Sequence, residues 1–293
     1  MSRKSHAELP ENATTISTTT EQVDAIETNL SERQQRELEY HREHADKNKH
    51  ILNEPFNYDV IEESERRWWN QYWAMFTYLL DTDLSNKHVL VVGCGFGSDA
   101  INLAKAGAKV SAFDLSPESL EIAAALAERE GLEIDFQAMP AEKLNYPDDT
   151  FDIVVARDIL HHVDIPDVVR EIKRVAKQDG LLCFNEVYSH SIMHRIRYSR
   201  FIDKWLYPKM VSIIYSDGVY ITDDEERLTE KEVSLLLSEM KEVETRKYFN
   251  AVVTRLVPDR FKLISKVDQL LLKYLPFIAP LLGSRVLVGA KIK

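Results

Sequence analysis

Glycine is scarce in this chain, with only 9 among 293 residues. Three of them, Gly93, Gly95 and Gly97, fall within five positions, so the backbone freedom that glycine provides is gathered at one place. Cysteine is scarcer still. Cys94 and Cys183 are too few for a disulfide scaffold or a zinc cluster, and each lies in an apolar run, so no metal site and a reducing, cytoplasmic setting are expected. Basic charge is in deficit, 37 Lys and Arg against 48 Asp and Glu for a net charge of −11, which argues against a general affinity for nucleic-acid phosphate. Long apolar runs are missing as well. The longest uncharged one, Tyr274 to Gly283, is about half of a membrane span and contains two prolines, so a soluble chain without stable membrane insertion is expected. What remains, 44% hydrophobic and 29% charged residues, suffices for a sizeable core and excludes global disorder.

Residues 1–29 are polar and without apolar period, and read as a disordered leader. Residues 30–85 read as a helical N-terminal lid. Within it, Ser31 with Gln34 forms a capping-box pattern that opens a charged helix running to about Lys49, and a second helix over about Glu62 to Leu80 carries Trp68, Trp69 and Trp73. From His88 the period changes. Short apolar runs at His88 to Val92, Lys109 to Phe113, Ile134 to Ala138, Phe151 to Ala156 and Gly180 to Glu186 alternate with helices at Ser98 to Lys105, Pro117 to Arg129 and Ile165 to Ala176. Strands apolar on both faces that alternate with helices belong to a covered parallel sheet with right-handed crossovers. This core spans residues 86–188. An aromatic and basic stretch, 189–228, reads as an inserted substrate cap, and 229–293 returns to the sheet with a helix from Thr229, a strand at Val243 to Phe249, a helix from about Arg260 to Tyr274 and a last strand at Arg285 to Lys291. The strand count is seven.

The run Val89 to Gly97 is a buried strand entering a tight turn that opens a helix, where glycines permit positive φ and close approach of a ligand to the main chain. Three alternating glycines exceed what a bare strand-helix turn requires. The spacing is G-x-G-x-G with Ser98 next, which fails the third glycine of the dinucleotide fingerprint and disfavours a nucleotide-dependent oxidoreductase. Asp114, 21 positions after Gly93 at the end of the second strand, is placed to accept both hydroxyls of a ribose. Its other reading is a helix N-cap, but Ser116 before Pro117 is better placed for that.

With Phe113 to Ser116, the block from Ala141 to Val155 and Leu160-His161-His162, the glycine turn resembles class I S-adenosylmethionine-dependent methyltransferases, in particular the branch of ubiquinone and menaquinone biosynthesis. The resemblance covers about Asn86 to Glu186 in detail. It implies an α/β, Rossmann-like, doubly wound seven-stranded sheet, mostly parallel with an antiparallel last strand. It also implies S-adenosylmethionine as cofactor and S-adenosylhomocysteine as product. Gly93, Cys94, Gly95 and Gly97 then lie against the methionine part, Asp114 on the ribose, Leu115 on the adenine, with Ala141 and Glu142 flanking that ring and Arg157 giving main-chain contacts. Pro140 departs from the pattern, standing where many relatives carry an acidic residue.

Transfer from a sulfonium is an in-line displacement, so holding the acceptor in place does most of the work, and a base is needed only if the acceptor must lose a proton. Asp158, His161 and His162, after the fourth core strand, are the candidate catalytic side chains. The plainer readings are a hydrogen-bonded helix start for the histidines and a pair with Arg157 for Asp158. For the small-molecule acceptor, Arg197, Tyr198, Arg200 and Trp205 are the candidates. They lie in a stretch with five basic residues and one acid, which suits an anionic or partly apolar acceptor but reads equally as a solvated face. Tyr40, His41, Trp69 and Trp73 are candidates for closing the site. The C-terminal helix and Leu275 to Leu282 are expected to cover the sheet or a homodimer partner, contact with a membrane or lipid acceptor being the alternative. The expected activity is methyl transfer to a small organic acceptor, oxygen first and carbon or nitrogen next. A non-catalytic protein that binds the same cofactor is the other class.

Overall fold

The alternating apolar runs assemble into one sheet. The computed structural model describes residues 15–16, 19, 23, 26–197, 199, 227–251 and 262–293. Its strands are β1 (Thr15–Ile16), β2 (His88–Val92), β3 (Lys109–Asp114), β4 (Ile134–Ala138), β5 (Phe151–Arg157), β6 (Ala176–Val187), β7 (Met240–Phe249) and β8 (Arg285–Ile292). They are ordered β1-β4-β3-β2-β5-β6-β8-β7, and β8 runs antiparallel to both of its neighbours while all other pairs are parallel. The reversal of strand order between β2 and β5 opens a crevice at their carboxyl ends, which is where ligands bind in such sheets.

Alternation along β2 shows why the sheet needs cover on both sides. Val89 and Val91 join one buried cluster and Leu90 and Val92 the other. The first cluster is covered by α1 (Glu32–Asn48), α3 (Gln71–Leu80), α4 (Ser98–Lys105) and α5 (Pro117–Arg129); the second by α6 (Ile165–Val175) and α8 (Glu230–Ser238). The short helices α2 (Asp59–Glu62), α7 (Ser191–Arg197) and α10 (Ala279–Leu282) and the longer α9 (Lys262–Tyr274) complete the described elements.

Two expectations change. The helix expected from Glu62 begins only at Gln71, because the Asn70 side chain accepts from the backbone N–H of Tyr72 and Trp73 at 3.0 and 3.2 Å and so caps the helix there. Trp68 and Trp69 therefore precede it. Within the expected leader, Thr15 and Ile16 pair in parallel with Asp135 and Phe136, adding an eighth strand at the otherwise open edge of β4. Of the cap candidates, Tyr198, Arg200 and Trp205 lie outside the described residues, as does the side chain of Arg197, whose backbone ends α7.

Candidate functional site

The turn from β2 into α4 holds Gly93, Gly95 and Gly97 at φ of 61°, 52° and 79°. Each glycine has its own reason. A Cβ at Gly93 would come within 2.6 Å of Ile159, and one at Gly97 within 2.9 Å of the Ala123 side chain on α5, whereas one at Gly95 would meet nothing within 4 Å. Two glycines thus answer to protein packing, and the third leaves a stretch of main chain open. The turn is braced from β3, where the Asp114 carboxylate accepts from Gly95 N–H at 2.8 Å through Oδ2 and from Ser116 N–H at 3.0 Å through Oδ1. The cap of α5 falls to Ser116, whose hydroxyl accepts from Ser119 N–H at 3.1 Å.

Above this turn lies a cavity of about 380 Å³ at the carboxyl ends of the parallel strands. Gly93, Cys94, Gly95, Asp114, Leu115, Ala141, Glu142 and Arg157 line it, together with Asp158 and His162; Gly97 and His161 do not. Phe113, Met139 and Pro140 add an apolar wall. Helix α1 closes the far side with Gln34, Glu37, His41 and His44, the last stacked on Phe96 at 5.3 Å between ring centroids with nearly parallel planes. Of the residues expected to close the site, His41 does so. Tyr40 stacks against His44 from outside, Trp69 lies beneath Lys266, and Trp73 is buried against Arg66 and Arg67.

The adjacent histidines are held by different carboxylates. They share a 3-10 turn, Leu160–His162, with ring centroids 4.0 Å apart. Glu186, fully buried, accepts from Ile159 and Leu160 N–H at 2.8 Å each and from His161 Nδ1 at 2.8 Å, so His161 braces the turn. His162 faces the cavity, and its Nδ1 donates to Glu37 Oε1 of α1 at 3.1 Å. Burial works to raise the Glu37 carboxyl, but the His162 hydrogen bond and the charges of His162, His41 and Arg33 outweigh it and hold the group below the usual carboxylate range. Glu37 Oε2 is buried without a hydrogen-bond partner, 4.0 Å from His41 Nε2. Burial, followed by the charges of His41 and Lys47, lowers the neighbouring His44.

Asp158 adopts φ 55° and takes two arginines, Nη1 of Arg157 at 3.4 Å and Nη2 of Arg285. Arg157 is itself paired through Nε with buried Asp99 at 2.7 Å and lies 5.0 Å from the Tyr72 ring centroid, and the Asp99 charge raises it well above its ordinary value. Glu142 ties two elements together, accepting from Gln34 Nε2 at 2.9 Å and from Asp164 N–H at 3.2 Å. Sequence reading missed Glu37, Asp99, Glu186 and Arg285. Only Glu37 left a signal, since Gln34, Glu37, His41 and His44 recur at helical spacing on one face.

Residues 90–184 match the family described as a methyltransferase domain. An uncharacterised methyltransferase of Bacillus subtilis, YcgJ, is 37% identical over 103 residues, covering 34% of this chain and 41% of the relative. A ubiquinone biosynthesis O-methyltransferase of Bordetella bronchiseptica is 38% identical over 104 residues, covering 35% and 43%. The chain thus spans less than half the length of these curated relatives. Among solved structures, the magnesium protoporphyrin IX methyltransferase of Synechocystis with bound S-adenosylhomocysteine superposes with a TM-score of 0.53 at 14% identity, over 89% of this chain and all of that one. The [4+2]-cyclase SpnF superposes with a TM-score of 0.50 at 21% identity, over 83% and 93%. Likeness at this level concerns the fold alone.

Proposed function

We propose that this chain, whose residues 90–184 match a methyltransferase-domain family, transfers a methyl group from S-adenosylmethionine to a small organic acceptor, with oxygen the methylated atom. The observation that carries this reading is the cavity itself, which brings the open main chain at Gly95, the Asp114 carboxylate and the Glu37–His162 pair onto one space. Those residues suit the cofactor. A Cβ at Gly95 would have free room that a ligand can use, and Glu37 Oε2 is a buried acceptor awaiting a donor. Gly93 and Gly95 would hold the methionine part, Asp114 the ribose, and Leu115 with Ala141 the adenine. Glu142 would flank the same ring, its two oxygens each accepting one protein hydrogen bond, from Gln34 Nε2 and Asp164 N–H.

When bound, the cofactor supplies an electrophilic methyl group on a sulfonium. The chain's own part is positioning and proton handling. With Nδ1 donating to Glu37, the uncharged form of His162 would carry its lone pair on Nε2, the tautomer that accepts a proton from an acceptor hydroxyl. His161 spends its Nδ1 on Glu186 and fixes the turn that presents His162. Asp158, between Arg157 and Arg285, orients rather than deprotonates. For the acceptor, Arg197, Tyr198, Arg200 and Trp205 remain our candidates on their charge and aromaticity. The names of several curated relatives support the oxygen reading.

The test is an extract screen with methyl-labelled S-adenosylmethionine, accompanied by calorimetry with S-adenosylhomocysteine. Saturable binding and a labelled, base-stable product support the reading. Absence of S-adenosylhomocysteine binding would sink it, and binding without transfer to any acceptor leaves the non-catalytic class.

A further inference from the structure

Helix α9 is amphipathic with its apolar face outward. Three of its four buried residues, Ser265, Asp268 and Gln269, are polar. Leu263, Val267 and Tyr274 are 75%, 59% and 72% exposed, and Ile264, Leu270 and Leu271 are more than a third exposed. At about 100° per residue, these six side chains occupy one arc of roughly 120°. Lys262, Lys266 and Lys273 all fall on a single border of that arc, within about 40° of one another. The only acid of the helix, Asp268, is buried on the opposite side.

The surface extends beyond the helix. Phe277, just past it, is 76% exposed. Lys266 Nζ lies 4.3 Å from the centroid of the Trp69 ring, and Trp69 stands edge-on to Trp68, itself 43% exposed. Aliphatic side chains, a lysine border and aromatic groups that straddle apolar and wet surroundings are therefore contiguous. An exposed apolar patch of this kind marks an interaction surface.

We propose that this face docks on an anionic lipid bilayer, with α9 lying in the interfacial plane, its aliphatic side chains below the headgroups and its lysines among them. Charge favours this occupant. A chain of net −11 is repelled by an anionic surface unless positive charge is gathered at the point of contact, and here three lysines border the apolar stripe with no exposed acid on the helix. In an antiparallel two-fold contact between two such stripes, a second copy would set like-charged lysine borders against each other. Among the described residues no helix is long and apolar enough to cross a membrane, so the contact is one of surface adsorption. The inference is independent of the reaction proposed above. It does, however, place the contact near the catalytic end of the sheet, because Gln269 Nε2 donates to Tyr248 O at 3.1 Å close to the end of β7, and Asn185, beside Asp158, donates to Gln71 O at 3.3 Å just after the tryptophan pair.

The test is flotation of the intact chain with vesicles of phosphatidylcholine alone or mixed with phosphatidylglycerol, with sedimentation velocity in parallel. Wild type should float with the mixed vesicles and remain behind with the neutral ones. Val267→Glu with Leu270→Glu, at exposed positions, should reduce binding at least about tenfold with an unchanged thermal midpoint. Lys262→Gln, Lys266→Gln and Lys273→Gln together should reduce it about a hundredfold, and this variant carries the test if the glutamates disturb folding. The proposal is overturned if wild type floats with neither vesicle, or if it floats equally with both and the lysine variant matches it. It is equally overturned if the chain ignores vesicles and forms a dimer that Val267→Glu dissociates, which would assign the face to a second copy.

Discussion

At the scale of single residues, the three glycines of the β2–α4 turn separate into two that a Cβ would press against neighbouring side chains and one, Gly95, that faces open space, and two substitutions distinguish them. Gly97→Ala meets both a φ of 79° and the Ala123 side chain at 2.9 Å, so it should destabilise the fold by about 2 kcal/mol or more in urea unfolding. Gly95→Ala bears only the strain of its positive φ, about 1 kcal/mol, but fills the space left for a ligand and should weaken S-adenosylhomocysteine binding at least about tenfold. Asp114→Ala should cost a similar factor, about 1.4 kcal/mol or more, since it removes a charged acceptor and the brace on Gly95 together; unchanged affinity in calorimetry overturns the ribose assignment. Glu37 gives a pH signature. Its folded pKa is depressed, so the stability it contributes is present above its unfolded value of about 4.3 and is lost as pH falls through the folded value. The stability gap between wild type and Glu37→Gln should therefore be full near neutrality and close as the solution is acidified below about pH 4. Urea titrations at the two pH values check this, and a gap that persists in acid contradicts it.

At the scale of elements, α1 forms one wall of the site and is held there by polar contacts from end to end. Arg33 donates to the His161 carbonyl at 2.9 Å, Gln34 to Glu142 at 2.9 Å and Arg42 to Glu118 at 2.8 Å, and Glu37 takes His162. The helix starts where its capping box puts it, Ser31 Oγ accepting from Gln34 N–H while the Gln34 side chain reaches back. Ser31→Ala should cost about 1 kcal/mol, and faster amide exchange at the first turn of α1, with weaker S-adenosylhomocysteine binding, is the expected readout. This start was legible in sequence because a capping box is a local pattern over four residues. The start of α3 was not, since Trp68, Trp69 and Trp73 at apolar spacing suggest an earlier helix than the Asn70 cap permits. The polarity of α9 was hidden for the same kind of reason. Its sequence shows an apolar stripe without saying which side meets the sheet, and Gln269 bonded to the Tyr248 carbonyl turns that stripe outward.

At the scale of the molecule, ligand binding and folding are linked, because the cavity exists only when β2, β3, β5 and α1 are assembled around it. S-adenosylhomocysteine at a hundred times its dissociation constant should raise the unfolding free energy by about 2.7 kcal/mol. A nicotinamide dinucleotide at the same concentration should leave the thermal midpoint where it was, and an equal shift with both ligands would return the oxidoreductase reading to contention. The sheet order also explains why the site lies where it does, since the crevice forms where β2 is flanked by β3 on one side and β5 on the other.

Sequence by itself determined the parts that depend on near neighbours in the chain. Positive φ at a strand-helix turn demands glycine, a serine before proline caps a helix, and runs apolar on both faces require a covered parallel sheet. The glycine turn, Asp114 and the seven long strands followed from such local rules. Tertiary structure alone decided the pairings across long separations: Glu37 with His162, Asp99 with Arg157, His161 with Glu186, Asp158 with Arg285, and Thr15–Ile16 with β4. A buried carboxylate needs a donor, but nothing in its immediate sequence says which one, because the partner is chosen by packing of elements that meet only in the folded chain.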